Sequence, residues 1–231
     1  MVRGSSSGSG WREWGIREPA GDVLPVVKIS ELISPGALAA LGMIVGLSVA
    51  SAGDGEEGRR VLFDFAEAGA GSDVSWRAVN DGVMGGLSEG DMKVSDGILN
   101  FSGVLSLENN GGFSSLRTVD GKFDFSDSAG VVLRVKGDGR TYQVRLESDA
   151  RLRERWPVSF RGEFATVAGE WTEVKVPFSA LKAGWRGMQM DSVFNPAAVQ
   201  LVGIVVADKK PGAFELEVDW LGVYKETASK K

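Results

Sequence analysis

The stretch "GVVLRVKGDGRTYQVRLE", Gly130 to Glu147, decides the fold class. Its second half alternates strictly, with Tyr142, Val144 and Leu146 on one side and Gln143, Arg145 and Glu147 on the other. A period of two marks a strand with one buried and one wet face. Its first half, "GVVLRVKG", is more continuously apolar, as in a strand covered on both faces or central to a sheet. Gly137-Asp138-Gly139 parts the two and supplies the positive φ that tight hairpins need.

The same grammar extends in both directions. "FELEVDWLGVY" (Phe214 to Tyr224) alternates, and "VQLVGIVVAD" (Val199 to Asp208) is a second apolar run. Asp96-Gly97 stands between "DMKVS" and "ILNFSG", and Asn110-Gly111-Gly112 precedes "FSSLR". Glycine accounts for 32 of the 231 residues, about twice the usual share, which suits many turns. With no persuasive amphipathic helix and no fixed repeat, the pattern predicts an all-β domain over residues 61–225. It is a jelly-roll β-sandwich of about a dozen strands, closed by a short tail at 226–231.

The N-terminal sixty residues read differently. "MVRGSSSGSG" opens a segment, 1–26, that is disordered or precedes the true start. Gly36 to Ala52 carries no charge and ends in Ala50-Ser51-Ala52, a small-x-small cleavage pattern. Translation from Val27 would make residues 27–52 a secretory signal of ordinary length and the product extracytoplasmic. The competing expectations are a membrane anchor through residues 36–52 and a mitochondrial transit segment, which Glu13, Glu18, Asp22 and Glu31 fit badly. "GDGEEG" (Gly53 to Gly58) matches a dinucleotide fingerprint only in letters, since its three acids would repel a pyrophosphate.

With neither Cys nor His, the chain excludes disulfides, thiolate nucleophiles, Cys/His zinc sites and any histidine base. Net charge −5 speaks against nucleic acid as a partner; the clearest local basic cluster, Arg151, Arg153 and Arg155, suits a solvated edge. No cofactor signature is present. Calcium stays open, because dispersed oxygen ligands have no readable spacing.

Four motifs in order carry a resemblance. "WRAVNDGVMGGLS" (Trp76 to Ser88), "FSGVLSLENNGGFSSLR" (Phe101 to Arg117), "GDGRTY" (Gly137 to Tyr142) and "PFS" (Pro177 to Ser179) make the region Val61 to Lys225 similar to the complex I intermediate-associated protein family. The resemblance implies a galactose-binding-like sandwich, akin to carbohydrate-binding modules, with no established catalysis. It also implies protein partners in a membrane complex, since the family's namesake is a mitochondrial assembly factor for NADH:ubiquinone oxidoreductase. A secreted or periplasmic glycan-binding module is the alternative that the same fold would support.

Candidate binding residues follow. Asn80, Asp81 and Met84 form either a shaped loop presenting a pliable thioether or a structural turn with Met84 tucked into the sandwich edge. Glu108, Asn109 and Asn110 offer a carboxylate and two amides to sugar hydroxyls, or serve their own backbone. Arg117, Arg140 and Tyr142 form a third group. Arg140 could pair with Asp138 or Asp81, or fork a partner's carboxylate. Trp156 and Trp185, each beside an Arg, suit exposed stacking platforms, whereas Trp76, Trp171 and Trp220 suit the core.

Overall fold

In a computed structural model of the chain, which describes residues 58–66, 74–119 and 121–226, thirteen strands form two antiparallel sheets. In chain order they are β1 (Arg59–Asp64), β2 (Trp76–Asn80), β3 (Glu89–Ser95), β4 (Ile98–Leu105), β5 (Ser114–Thr118), β6 (Gly130–Lys136) and β7 (Thr141–Leu152). They continue as β8 (Trp156–Ala165), β9 (Trp171–Pro177), β10 (Lys182–Trp185), β11 (Met188–Gln189), β12 (Leu201–Val206) and β13 (Gly212–Tyr224). One sheet runs β3-β4-β13-β6-β9, with β1 also on β13; the other runs β11-β10-β8-β7-β12-β5-β2. This is the expected β-sandwich.

The alternation of Gly130 to Glu147 becomes burial as expected. Tyr142, Val144 and Leu146 are all buried, facing a core that includes Phe101, Leu133, Phe160, Ile204 and Leu216. Each such aliphatic side chain stabilises by about 1.5–3 kcal/mol on leaving water. Asp96 (φ 52°) and Gly97 (φ 76°) turn β3 into β4 with Ser95 opposite Ile98, so the Asp-Gly hairpin forms.

The other two glycine turns are not hairpins. β6 lies in the six-stranded sheet and β7 in the seven-stranded one, so Gly137-Asp138-Gly139 carries the chain across the sandwich. Asn110-Gly111-Gly112 does the same between β4 and β5. Positive φ reverses or bends a chain equally well, and local sequence does not state which sheet the next strand joins.

Trp76 packs edge-on to core residue Phe63 at 5.0 Å between centroids. Trp171, expected inside, is instead exposed under Arg134 and Lys136, at 5.2 and 5.8 Å from its ring. Cation–π contact makes an outer strand position tolerable for indole. Residues 1–26 and the signal or anchor segment at 27–52 lie outside the described residues, as does "GDGEEG" up to its last glycine. No helix among the described residues is long and apolar enough to cross a membrane.

Candidate functional site

Asn80 ends β2, and Asp81 to Met84 form a single 3-10 turn. The Asp81 side chain turns inward and is fully buried. Its Oδ1 accepts the Ser88 N–H at 2.9 Å, and its Oδ2 accepts the Ser88 hydroxyl at 2.6 Å and the Gly112 and Phe113 N–H groups at 2.6 and 3.2 Å. Burial alone would raise this carboxyl. The Ser88 hydroxyl and the three amides outweigh it and hold the group below the usual carboxylate range.

Those bonds explain the glycines. A Cβ on Gly86 would fall 2.4 Å from the Asp81 carboxyl carbon, and one on Gly111 would fall 2.6 Å from Oδ2. Only bare backbone can approach the carboxylate this closely. Asn80 performs a related task one residue earlier. Its side chain donates to the Gly90 carbonyl at 3.0 Å and accepts the Ser114 hydroxyl at 2.6 Å, tying the edges of the two sheets together. It makes no side-chain cap on the turn.

Asp81 thus stitches the loop after β2, which carries Met84, to the loop before β5, which carries Glu108, Asn109 and Asn110. Asn109 and Asn110 adopt φ of 54° and 58°, a conformation that asparagine tolerates well. What the clasp leaves outside is apolar: Val83 is 75% exposed, Met84 58%, Leu87 53% and Leu107 42%. Leu107 packs over Gly112, and Ser88 bonds both the carbonyl and the N–H of Ser106, so the loops that carry the four side chains are clasped together. Met84 is therefore not tucked into the sandwich edge.

Two predicted site residues belong to the interior. Arg140 is buried and forks Asp208, with Nε to Oδ2 at 3.1 Å and Nη2 to Oδ1 at 2.7 Å, and it also donates to the Ala213 carbonyl at 2.8 Å. Its guanidinium pairs with neither Asp138 nor Asp81, although the Arg140 backbone N–H donates to Asp138 Oδ1 at 3.1 Å. The Asp208 hydrogen bonds raise the Arg140 pKa. Burial would raise the Asp208 carboxyl, and Arg140 outweighs it to hold the group low. Tyr142 is buried in the core, where burial and then Asp138 push its phenol upward; the hydroxyl donates to Asp138 Oδ1 at 3.1 Å. Neither residue faces a partner, because the corner between the sheets consumes their polar atoms.

The remaining candidates lie apart. Arg117 projects from β5, half-buried, on the outer face of the seven-stranded sheet. Trp156 and Trp185 lean on each other at 6.2 Å, with Arg155 and Arg186 over their rings. They sit near the Leu152 end of β7, whereas Tyr142 marks the Met84 end, about 30 Å away at strand rise. The aromatic platforms and the Asn-rich loop do not form one groove. Sequence reasoning missed Ser88 and Asp208, whose partners Asp81 and Arg140 lie 7 and 68 residues away, and Val83, Leu87 and Leu107. Apolar residues in a glycine-rich loop were the available signal for these last three. Among the described residues, no three His, Cys, Asp or Glu groups converge to hold a metal ion.

Among solved structures, the fold is shared with the family 11 carbohydrate-binding module of cellulase Lic26A-Cel5E from Clostridium thermocellum. The TM-score is 0.52 at 12% identity, covering 75% of this chain and 98% of that one. In sequence, the chain is 30% identical over 194 residues to mouse complex I intermediate-associated protein 30, mitochondrial, covering 74% of this chain and 58% of the mouse protein. A probable protein of the same name from Caenorhabditis elegans is 35% identical over 100 residues, or 42% of this chain and 29% of that protein. The chain thus spans little more than half of these relatives at most. The family model described as complex I intermediate-associated protein 30 (CIA30) matches residues 63–218, and the chain belongs to that family.

Proposed function

We propose that the chain is a non-catalytic binding module that assists assembly of a respiratory membrane complex, and that it grips a protein partner through the apolar rim around Met84. The observation that carries the reading is the rim itself. Val83, Met84, Leu87 and Leu107 stand open to water on a loop pair made rigid by the buried Asp81 carboxylate. Four large apolar side chains exposed together form a patch on the order of the few hundred Å² that marks interaction sites. Holding them in one conformation beforehand lowers the ordering entropy lost on binding. The relatives' names, complex I intermediate-associated and mitochondrial, support a partner of that class and a mitochondrial compartment.

A host lacking this chain tests the reading by complementation, with NADH:ubiquinone oxidoreductase followed on native gels. The wild-type chain restores the mature complex, and a V83D/M84D/L87D variant that folds normally leaves a subcomplex. Failure of the wild type would overturn the assembly role, and full rescue by the variant would overturn the rim.

A glycan-binding reading draws on the shared fold and on the partly open Trp156–Trp185 pair. Retention of the chain on mixed-linkage β-glucan, lost in Trp156→Ala, would favour it. Unchanged migration through such a gel removes it.

A further inference from the structure

Strand register, rather than sequence proximity, assembles a concentration of positive charge on the seven-stranded sheet. Across the seven-stranded sheet, Arg77 on β2 pairs with Arg117 on β5, and Arg117 with Gly203 on β12. Gly203 pairs with Arg145 on β7, Arg145 with Arg161 on β8, and Arg161 with Lys182 on β10. Residues in register share a face, so four arginines and a lysine stand in one line. At a strand spacing of about 4.8 Å the line is roughly 24 Å long. The one position without a charge is Gly203, where a Cβ would fall 2.5 Å from the Leu116 carbonyl oxygen, so no side chain separates Arg117 from Arg145.

Like charges directly opposite one another weaken a sheet, and this line is only partly compensated. Glu147 accepts from Arg145, and the Arg117 Nε–H goes to the Ser115 hydroxyl at 3.0 Å. Arg161 Nε is buried with no hydrogen-bond partner among the described residues, and so is Gln143 Oε1 on the adjacent strand. Gln143 donates its NH₂ to Glu163 at 3.2 Å, which fixes its carbonyl oxygen as the orphan. Gln143, Arg161, Glu163, Lys182 and Met188 line a groove of about 630 Å³.

We propose that this line is a docking row for an extended acidic segment of a protein partner. Its length suits a chain rather than a single small anion. Glu147 and Glu163 flank it, two residues to either side along their strands, which disfavours a broad, uniformly dense polyanion and suits carboxylates spaced along a peptide. An unpaired donor and an unpaired acceptor on neighbouring strands suit a peptide unit, which carries both a C=O and an N–H; a phosphate offers no such donor at neutral pH. No aromatic ring stands at any of the six register positions, so stacking on a sugar face is not the recognition mode. The row is distinct from the Met84 rim and stands on its own observation, although a protein partner accords with the assembly role.

The test uses the purified full chain and a fluorescent nonapeptide of alternating Glu and Gly, with the Gln-for-Glu peptide and vesicles containing anionic phospholipid as further probes. The Glu peptide binds, more weakly as salt rises, and the Gln peptide does not. R117Q/R161Q weakens binding at least about tenfold, as loss of two charge-assisted contacts requires. R134Q/K175Q, which removes the same charge from the opposite sheet, stays within about twofold. R161Q alone gives an intermediate loss and serves if the double variant fails to fold. An absence of peptide binding, equal losses for the two double variants, or retention on anionic vesicles without peptide binding would overturn the proposal. Because M84D leaves peptide binding unchanged, failure here is separable from failure of the rim.

Discussion

Asp81 at the loop end and Arg161 on the outer sheet face are both charged and both largely withdrawn from water, yet their surroundings differ in kind. Every donor around Asp81 is aimed at it, and two glycines give up their side chains so that backbone can approach. Around Arg161 the nearest register partners are cations, and its own Nε has no acceptor. The first arrangement completes the fold. The second weakens it, and groups that weaken a fold are where binding chemistry is to be sought.

Removing the charge in each region separates them most sharply. Asp81→Ala strands the Ser88, Gly112 and Phe113 amides and should cost about 3–5 kcal/mol by urea unfolding. Arg140→Gln, which leaves Asp208 unpaired in the same end of the sandwich, should cost a similar ~3–5 kcal/mol. A smaller loss, about 1–3 kcal/mol, is expected for Gly86→Ala, whose new methyl must displace the Asp81 carboxyl.

Acid sharpens the contrast. Asp81 and Asp208 are held below the carboxylate range they have in the unfolded chain, so the unfolded state binds more protons as pH falls. Their contribution is complete above the unfolded pKa and is lost progressively from about pH 5 downward, through the lower folded values. Asp81→Asn should start from lower stability at neutral pH and flatten the acid limb of the stability profile.

The smallest effects belong to the exposed surfaces. Val83→Asp and Met84→Asp should stay within about 0.5 kcal/mol of wild type while abolishing assembly. Burial, followed by the charges of Arg145, Arg161 and Arg77, pushes the Arg117 guanidinium down to about 10; it stays charged at neutral pH, but the folded state holds that charge less favourably than the unfolded chain does. Arg117→Gln should therefore leave the melting temperature unchanged or raise it, by up to about 1 kcal/mol of stability. A marked loss would erase the difference between the two regions.

How much of this was legible depends on distance along the chain. The alternation of Tyr142, Val144 and Leu146 and the Asp96-Gly97 turn were readable because period and φ preference are local. The loop pair around Asn80 and Asn110 was legible as a motif, but the direction of Asp81 was not, because its bonds span 7 to 32 residues. Arg140 looked available for the same reason: Asp208 lies 68 residues away. The arginine line was the least legible. The sequence's nearest basic cluster, Arg151 to Arg155, lies elsewhere, and the row exists only once six strands take their register.

The central claim is that the rim around Met84 is where a partner sits. A photo-crosslinking residue placed at Met84 in the native host tests it most directly, with the same residue at Trp156, on the opposite end of the sandwich, as comparison. The account predicts a discrete adduct from position 84 with a subunit of NADH:ubiquinone oxidoreductase, and none from position 156. Adducts from position 156 alone, or from neither position in a host that needs the chain, would contradict it.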